Sequence, residues 1–516
     1  MSEQFYCGQN GPIVQTKAGK LRGFLSEGTY TFHGIPYATA KRFHQPEPVK
    51  PWKGVKDALA YGYVCPLLKQ DEPSNEVMIP HRYWPMGENC QSLNIWTQSL
   101  DAKKPVMVWL HGGGFFAGSS IEQVAYDGKN LSRYGDVVVV TLNHRLNILG
   151  YLDLSPFGEE YENSANAGTA DMVAALKWIH DNIAAFGGDP ENVTLFGQSG
   201  GGMKVWTLMQ TPAADGLFHK GIVQSGVIRD FSRECSGSNG AQIVNALMKE
   251  LKLKKVKQLE TVPYPLLAQA YLKVAPQLQE QGFYVGGNPK ADKYFLGDPL
   301  EVGFREEAKK IPILIGTVLG EFSFLPALPE KVKNSSKTVA ALMEKRYGSH
   351  ADQMATLFAQ TYPDKHPSDA LFVDSLFRGP TIDFVALKSR CPDSPTYSYL
   401  FTYTFPYDDG HIAWHCSEIP FVFHNTGLVS VCQNGKVTER LEQQLSDAWL
   451  NFARTGTPAA PNLPAWPPCQ EGDEACMIFD EHCRLVHNHD HALVELHTLV
   501  TSALGPGQGE KQKIQH

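Results

Sequence analysis

Charge and cysteine are both scarce in this chain. Across 516 residues Asp, Glu, Lys and Arg make up 19% against 42% apolar residues, and the two signs are mixed into a net charge of -8. No basic run is longer than Lys252 to Lys257, itself broken by Leu253 and Val256, which argues against a nucleic-acid partner. Ten cysteines are too few for a disulfide scaffold, and the closest, Cys469 with Cys476 and Cys476 with Cys483, are seven apart. That spacing does not suit zinc-ligand pairs, so no metal is expected. No apolar stretch approaches the roughly 20 residues of a membrane span. The first thirty residues, from Met1 to Tyr30, lack the apolar core of a secretory leader, so a cytoplasmic protein with reduced thiols is expected.

What is present is enough apolar material for a large core, distributed in short runs. Val106 to Leu110, Val137 to Leu142 and Val193 to Phe196 alternate with a helical stripe of Met172, Leu176, Ile179 and Ile183. Ile222 to Val223, Ile313 to Ile315 and Tyr397 to Tyr403 continue the series. Runs of four to six apolar residues without polar alternation fit strands buried on both faces, and their alternation with helices predicts an α/β fold with a mostly parallel sheet. Residues 239–280 and 331–389 read as helical insertions with charged faces, and the tail after Gly505 reads as frayed. No internal repeat is apparent, and residues 1–516 are read as one domain.

The run Val193 to Phe196 leads into Gly197-Gln198-Ser199-Gly200-Gly201, followed by a segment able to form a helix (Met203, Val205, Trp206, Leu208, Met209). G-x-S-x-G between a buried strand and a helix is a nucleophile elbow: the serine sits on a sharp turn, and the glycines on either side remove steric conflict. Upstream, His111-Gly112-Gly113-Gly114-Phe115 directly follows the strand Val106 to Leu110. A glycine run there lets backbone N-H groups face a ligand. Gly113, Gly114 and Gly200 are therefore candidate donors to an oxyanion, where each preorganised donor can be worth roughly 3 to 4 kcal/mol.

With these two motifs on the page, the sequence resembles the type B carboxylesterase and cholinesterase family, in particular its bacterial para-nitrobenzyl esterase-like carboxylesterases. The likeness extends over nearly the whole chain. It includes Gly34-Ile35-Pro36-Tyr37-Ala38, Arg42-Phe43, Pro51-Trp52, Asn143-His144-Arg145-Leu146, the run from Ala185 to Thr194, Gln224-Ser225-Gly226, and Asn451 to Gly456. The resemblance implies an α/β-hydrolase fold with helical insertions over an active-site gorge, and a Ser199, Glu321, His415 triad. Glu321 falls in Gly316-Thr317-Val318-Leu319-Gly320-Glu321 and His415 in Trp414-His415-Cys416-Ser417-Glu418-Ile419-Pro420. On the residues alone, His411 competes with His415, one helical turn earlier. The resemblance also implies ion pairs Arg42 with Glu88 and Arg145 with Asp171, and it aligns Cys65 and Cys90 with the family's first disulfide, while a cytoplasmic location favours reduced thiols, so both states of the pair stay open.

Several positions differ from the family. Gln198 stands where a glutamate usually precedes the serine, His144 replaces a frequent tyrosine, and Gly320 and Phe322 differ from the usual residues flanking the acid. Trp84 is wrongly offset from Cys90 to match the choline-site tryptophan. The resemblance therefore implies hydrolysis of small to medium uncharged esters rather than choline esters, needing no metal or organic cofactor and no partner beyond the small-molecule ester. A non-catalytic interaction protein and a lipase acting on longer acyl chains are the alternatives.

Overall fold

A computed structural model describes residues 5–9, 11–69, 78–229, 231, 238–323, 336–407 and 409–503. The tail after Gly505, read from the sequence as frayed, and residues 331–335 of the second helical segment lie outside the described residues. The chain forms two compact units. One comprises Met1–Pro73, His81–Ile222 and Asp230–Ile311, the other Ser74–Pro80, Val223–Arg229 and Pro312–His516.

In the first unit the main strands are β1 (Phe24–Ser26), β2 (Thr29–Pro36), β3 (Ser92–Thr97), β4 (Lys104–Leu110), β5 (Val138–Leu142) and β6 (Gly188–Gln198). They lie in the order β6-β4-β5-β3-β2-β1. β4 pairs in parallel with both β5 and β6, placing Val106 opposite Val138 and Val193, while β5 with β3, β3 with β2 and β2 with β1 are antiparallel. Val106 to Leu110 are all fully buried. This is why the run carries no polar alternation: both faces of the strand are covered. Each such Val or Leu contributes roughly 1.5 to 3 kcal/mol by leaving water. The expected stripe lies on α1 (Ala167–Asn182), whose Met172, Leu176 and Ile179 are buried, with Ile183 in the 3-10 turn that follows. The serine is followed by α2 (Gly200–Met209), and the segment 239–280 holds α3 (Ala241–Glu250) and α4 (Tyr264–Glu280). Ile243, Val244, Leu247 and Leu267 from α3 and α4 pack with Ile148, Leu152 and Leu154.

Strand β7 (Lys220–Gln224) carries the chain from the first unit into the second. There β8 (Ile313–Val318), β9 (Thr396–Phe401) and β10 (Ala475–Phe479) are parallel neighbours in that order, and β11 (Arg484–His487) closes the edge antiparallel to β10. The parallel pairs lie together in each unit, as expected for strands joined by crossover helices, and the antiparallel pairs lie toward the edges, where no crossover helix is needed. Residues 336–388 supply α5 (Ser336–Tyr347), α6 (Ala351–Thr361) and α7 (Arg378–Lys388). Met343, Tyr347, Met354 and Phe358 of α5 and α6 form a core with Leu400, Ile478 and Leu493. Helix α8 (Gly435–Thr455) buries Leu441, Leu445, Ala448, Trp449 and Phe452, a helical stripe, and stops where Gly456 takes a left-handed φ of 80°. Helix α9 (His491–Ala503) follows β11.

Charge also enters this core. Arg378 is 2% exposed and its guanidinium binds both Glu474 oxygens at 2.8 Å and both Asp490 oxygens at 2.6 to 3.2 Å. His491 and Ser398 also reach Glu474, at 2.7 and 2.5 Å. A buried ion cluster contributes little net stability when complete, but removing one member strands the others and costs about 3 to 5 kcal/mol. Among the described residues, no helix is long and apolar enough to cross a membrane.

Candidate active site

Ser199 stands between β6 and α2 with φ 58° and ψ -127°. A side chain rarely adopts these angles, and holding them costs on the order of 1 to 3 kcal/mol. The glycines around it have separate steric reasons. A Cβ on Gly197 would lie 2.5 Å from the Gly201 carbonyl carbon, and a Cβ on Gly201 would lie 1.9 Å from the Leu110 carbonyl oxygen at the end of β4. The turn closes only because these backbones touch without side chains. Gly201→Ala is expected to destabilise the protein by at least about 3 kcal/mol, read by urea denaturation or by failure to accumulate folded. Wild-type stability would mean that β4 and α2 separate without penalty.

The loop after β4 is pressed against this turn. Gly113 and Gly114 have φ of 82° and 59°, and a Cβ on Gly200 would lie 2.3 to 2.4 Å from backbone atoms of Gly114. The three glycines singled out as donors are therefore brought together beside Ser199. Among the described residues, the N-H groups of Gly113, Gly114 and Gly200 make no hydrogen bond within the protein. Gly113 turns its carbonyl the other way, accepting from the N-H groups of Phe116 and Ala117 at 3.2 and 3.0 Å. A cluster of N-H groups that the backbone leaves unbonded suits a developing negative charge. Gln198, the residue that departs from the family pattern, is fully buried beside the serine and brings no charge there.

In the second unit Glu321 and His415, 94 residues apart, form a pair. His415 Nδ1 lies 2.5 Å from Glu321 Oε2, and the His415 N-H donates to the Glu321 carbonyl at 2.7 Å. A carboxylate only accepts, so Nδ1 carries the proton and Nε2 is left as an acceptor. The other oxygen, Oε1, accepts from the Ser225 hydroxyl at 2.7 Å and the Val318 N-H at 3.1 Å. Phe322 and Phe377 lie nearly parallel to the imidazole, 5.9 and 5.1 Å away. Burial by itself pushes the His415 pKa down, but the charge of Glu321 and its hydrogen bond outweigh it, with Glu418 and Asp374 adding. The net result is above the usual 6.5. His411, the competitor, instead stacks on Tyr407 at 5.1 Å and faces the Ser323 hydroxyl at 3.4 Å.

Two further buried acids lie near this pair: Glu418, within the quoted segment Trp414 to Pro420 but given no role there, and Asp374, which no motif marks. Glu418 accepts from the Gln224 amide at 2.9 Å, and burial raises it to about 7. Asp374 accepts from the N-H groups of Leu376, Phe377 and Arg378 at 2.9 to 3.0 Å; burial and the charge of Glu321 raise it to about 7 as well. Asp374 thereby fixes the turn that presents Phe377 to His415. Ser225 belongs to a segment quoted for the resemblance, yet its contact with Glu321 had no local sequence signal.

The structural pairs are present. Arg145 binds Asp171 at 2.7 and 2.8 Å, both fully buried, and Arg42 grips Glu88 through Nε at 2.8 Å and through a second contact from Nη2. Cys65 and Cys90 are buried free thiols; a hydrogen bond between Cys90 and Cys65, together with burial, pushes the Cys90 thiol well up. Trp84 stacks edge-on against Tyr61 at 5.5 Å and is 39% exposed.

Comparison with known proteins agrees with the resemblance. Residues 10–494 match the model of the carboxylesterase family. The para-nitrobenzyl esterase of Bacillus subtilis (strain 168) is 36% identical, covering 91% of this chain and 94% of its own. The phenmedipham hydrolase of Pseudarthrobacter oxydans is 34% identical over 91% and 95%. Among solved structures, an esterase from the anaerobe Clostridium hathewayi that can hydrolyse aliphatic aromatic polyesters is 53% identical. It superposes with a TM-score of 0.94 over 97% of this chain and 100% of its own.

Proposed function

This chain belongs to the carboxylesterase family and is a carboxylic ester hydrolase of the α/β-hydrolase fold, and we propose that it cleaves small to medium uncharged esters through an acyl-enzyme on Ser199. The observation that carries the reading is the contact between His415 Nδ1 and Glu321, which puts the ring proton on Nδ1 and makes Nε2 the basic nitrogen. In this reading Nε2 takes the Ser199 hydroxyl proton as Oγ bonds to the acyl carbon, and the N-H groups of Gly113, Gly114 and Gly200 hold the resulting oxyanion. The C-O bond to the alcohol then breaks, and the imidazolium returns the proton to the leaving oxygen. Water repeats the sequence on the acyl-enzyme, releasing the acid and Ser199. Nucleophile, base and N-H donors suffice, so no metal or organic cofactor is invoked. A neutral Gln198 beside the nucleophile supports uncharged substrates. The aliphatic aromatic polyesters cleaved by the Clostridium hathewayi enzyme extend the class to aromatic acyl groups.

Organophosphonate treatment is expected to add one adduct, mapping to the peptide that contains Ser199. An adduct elsewhere, or none while hydrolysis continues, moves the nucleophile. The kcat/KM of para-nitrophenyl butyrate hydrolysis is expected to fall with acid. The base must be neutral, and a raised His415 pKa keeps the ring protonated above pH 6.5, so the acid limb should show an apparent pKa above that value. A profile flat down to about pH 5 removes histidine from the role.

A further inference from the structure

Lys204 lies on α2, five residues after Ser199, and is 0% exposed. Lysines are almost never fully buried without a charged partner, because an ammonium loses its water there. Among the described residues Nζ makes one hydrogen bond, donating to the carbonyl of His111 at 2.8 Å. It also lies 5.7 Å from the centre of the Phe115 ring. Burial holds the amine down at about 7, with Glu122 and Cys65 pulling the other way. A methionine would fill the space without this penalty, so packing does not explain the residue.

The two groups Lys204 touches are the first and last residues of the loop His111 to Phe115. At His111 the chain has just left the sheet, since the last pairing of β4 with β6 is Leu110 with Gly197. The floor beside it offers little other support. The His111 and His144 rings stack at 5.1 Å, each directs Nδ1 to a backbone carbonyl at 2.9 Å, and their buried Nε2 atoms have no partner among the described residues. Burial and the nearby Lys204 push both imidazoles well down, so they stay neutral.

We propose that Lys204 is a positioning residue, a strut that ties both ends of the oxyanion loop to the helix beginning at Ser199, so that the Gly113 and Gly114 N-H groups keep their aim. This inference rests on the ester-hydrolase reading of Ser199 and the loop. Lys204 touches no substrate; it acts through the His111 carbonyl and the Phe115 ring.

The test compares wild type, Lys204→Met and Ser199→Ala in para-nitrophenyl butyrate hydrolysis and in binding of a trifluoromethyl ketone, which adds to the serine as a tetrahedral oxyanion. Lys204→Met is expected to lower kcat by about 10- to 100-fold while KM stays within about threefold and Tm does not fall. Ketone affinity should drop by the same factor as kcat/KM, since both report the aimed N-H groups. Unchanged kcat and ketone affinity, or a change confined to KM, overturns the strut. If the methionine variant does not fold, Lys204→Gln, whose amide is one atom too short to reach, carries the same readout. Failure of both to fold makes Lys204 a stability residue and also overturns the proposal. Ser199→Ala separates the two levels: full activity there sinks the nucleophile assignment, whereas a dead Ser199→Ala beside an unaltered Lys204→Met sinks only the strut.

Discussion

Ser199→Ala is expected to lower kcat for para-nitrophenyl butyrate by about 10⁶-fold and to abolish the organophosphonate adduct, while leaving the fold intact. The size follows from what alanine removes. Without Oγ there is no acyl-enzyme, and His415 has no proton to accept. The oxyanion donors remain, and they alone sustain on the order of 10³- to 10⁴-fold catalysis over water in comparable sites. Stability should stay within about 1 kcal/mol, because alanine at φ 58° meets the same backbone strain as serine. Initial rates and thermal melts check both halves. An alanine variant keeping a tenth of wild-type turnover would end the assignment.

Glu321→Gln is expected to cost about 10⁴-fold in kcat, and the hydrogen bonds around the carboxylate give the reason. Oε1 accepts from Val318 N-H and from Ser225. A backbone N-H cannot become an acceptor, so the amide oxygen of glutamine must stay on that side and its NH₂ must face His415. Nδ1 is then forced to accept, the ring proton moves to Nε2, and the one atom available to act as base is blocked. The imidazole can remain in place while carrying the wrong tautomer. Nitrogen NMR of His415 beside kinetics would show it; a variant within tenfold of wild type would place the essential acid elsewhere.

The parts of this molecule that were legible in the sequence are those where chemistry and chain order coincide. Val106 to Leu110 and Val193 to Phe196 read as strands because burial on both faces leaves no polar position, and the glycines around Ser199 mark a backbone that closes on itself. Glu321 and His415 came from the resemblance alone, because 94 residues separate them and no periodicity links them. The choice between His411 and His415 depended on side-chain direction, which a four-residue spacing does not encode. Glu418 and Ser225 were missed for a similar reason, since each acts through one long-range contact; Asp374 caps a local turn over Leu376 to Arg378, which in sequence resembles any other aspartate turn. Lys204 was hidden differently. All ten residues of Gly200–Met209 are buried, so this helix has no polar face, and a lysine between Met203 and Val205 looks like solvent-facing charge when it is not. Cys65 and Cys90 are thiols at positions that the resemblance aligns with a disulfide, and the sequence does not distinguish the two states.

The ion cluster at Arg378 bears on the order in which the protein can be made. Its second carboxylate, Asp490, lies 112 residues downstream of the guanidinium, and the same unit holds Glu321 and His415. While the chain is being synthesised, the surroundings of the acid and base cannot settle until Asp490 has emerged, whereas the elbow and its glycine loop are complete long before. A nascent or nicked chain ending ahead of that aspartate would therefore display a formed nucleophile turn with a guanidinium in its other unit that has at most Glu474 of its two carboxylates. Chaperones and proteases would meet that intermediate before any substrate does.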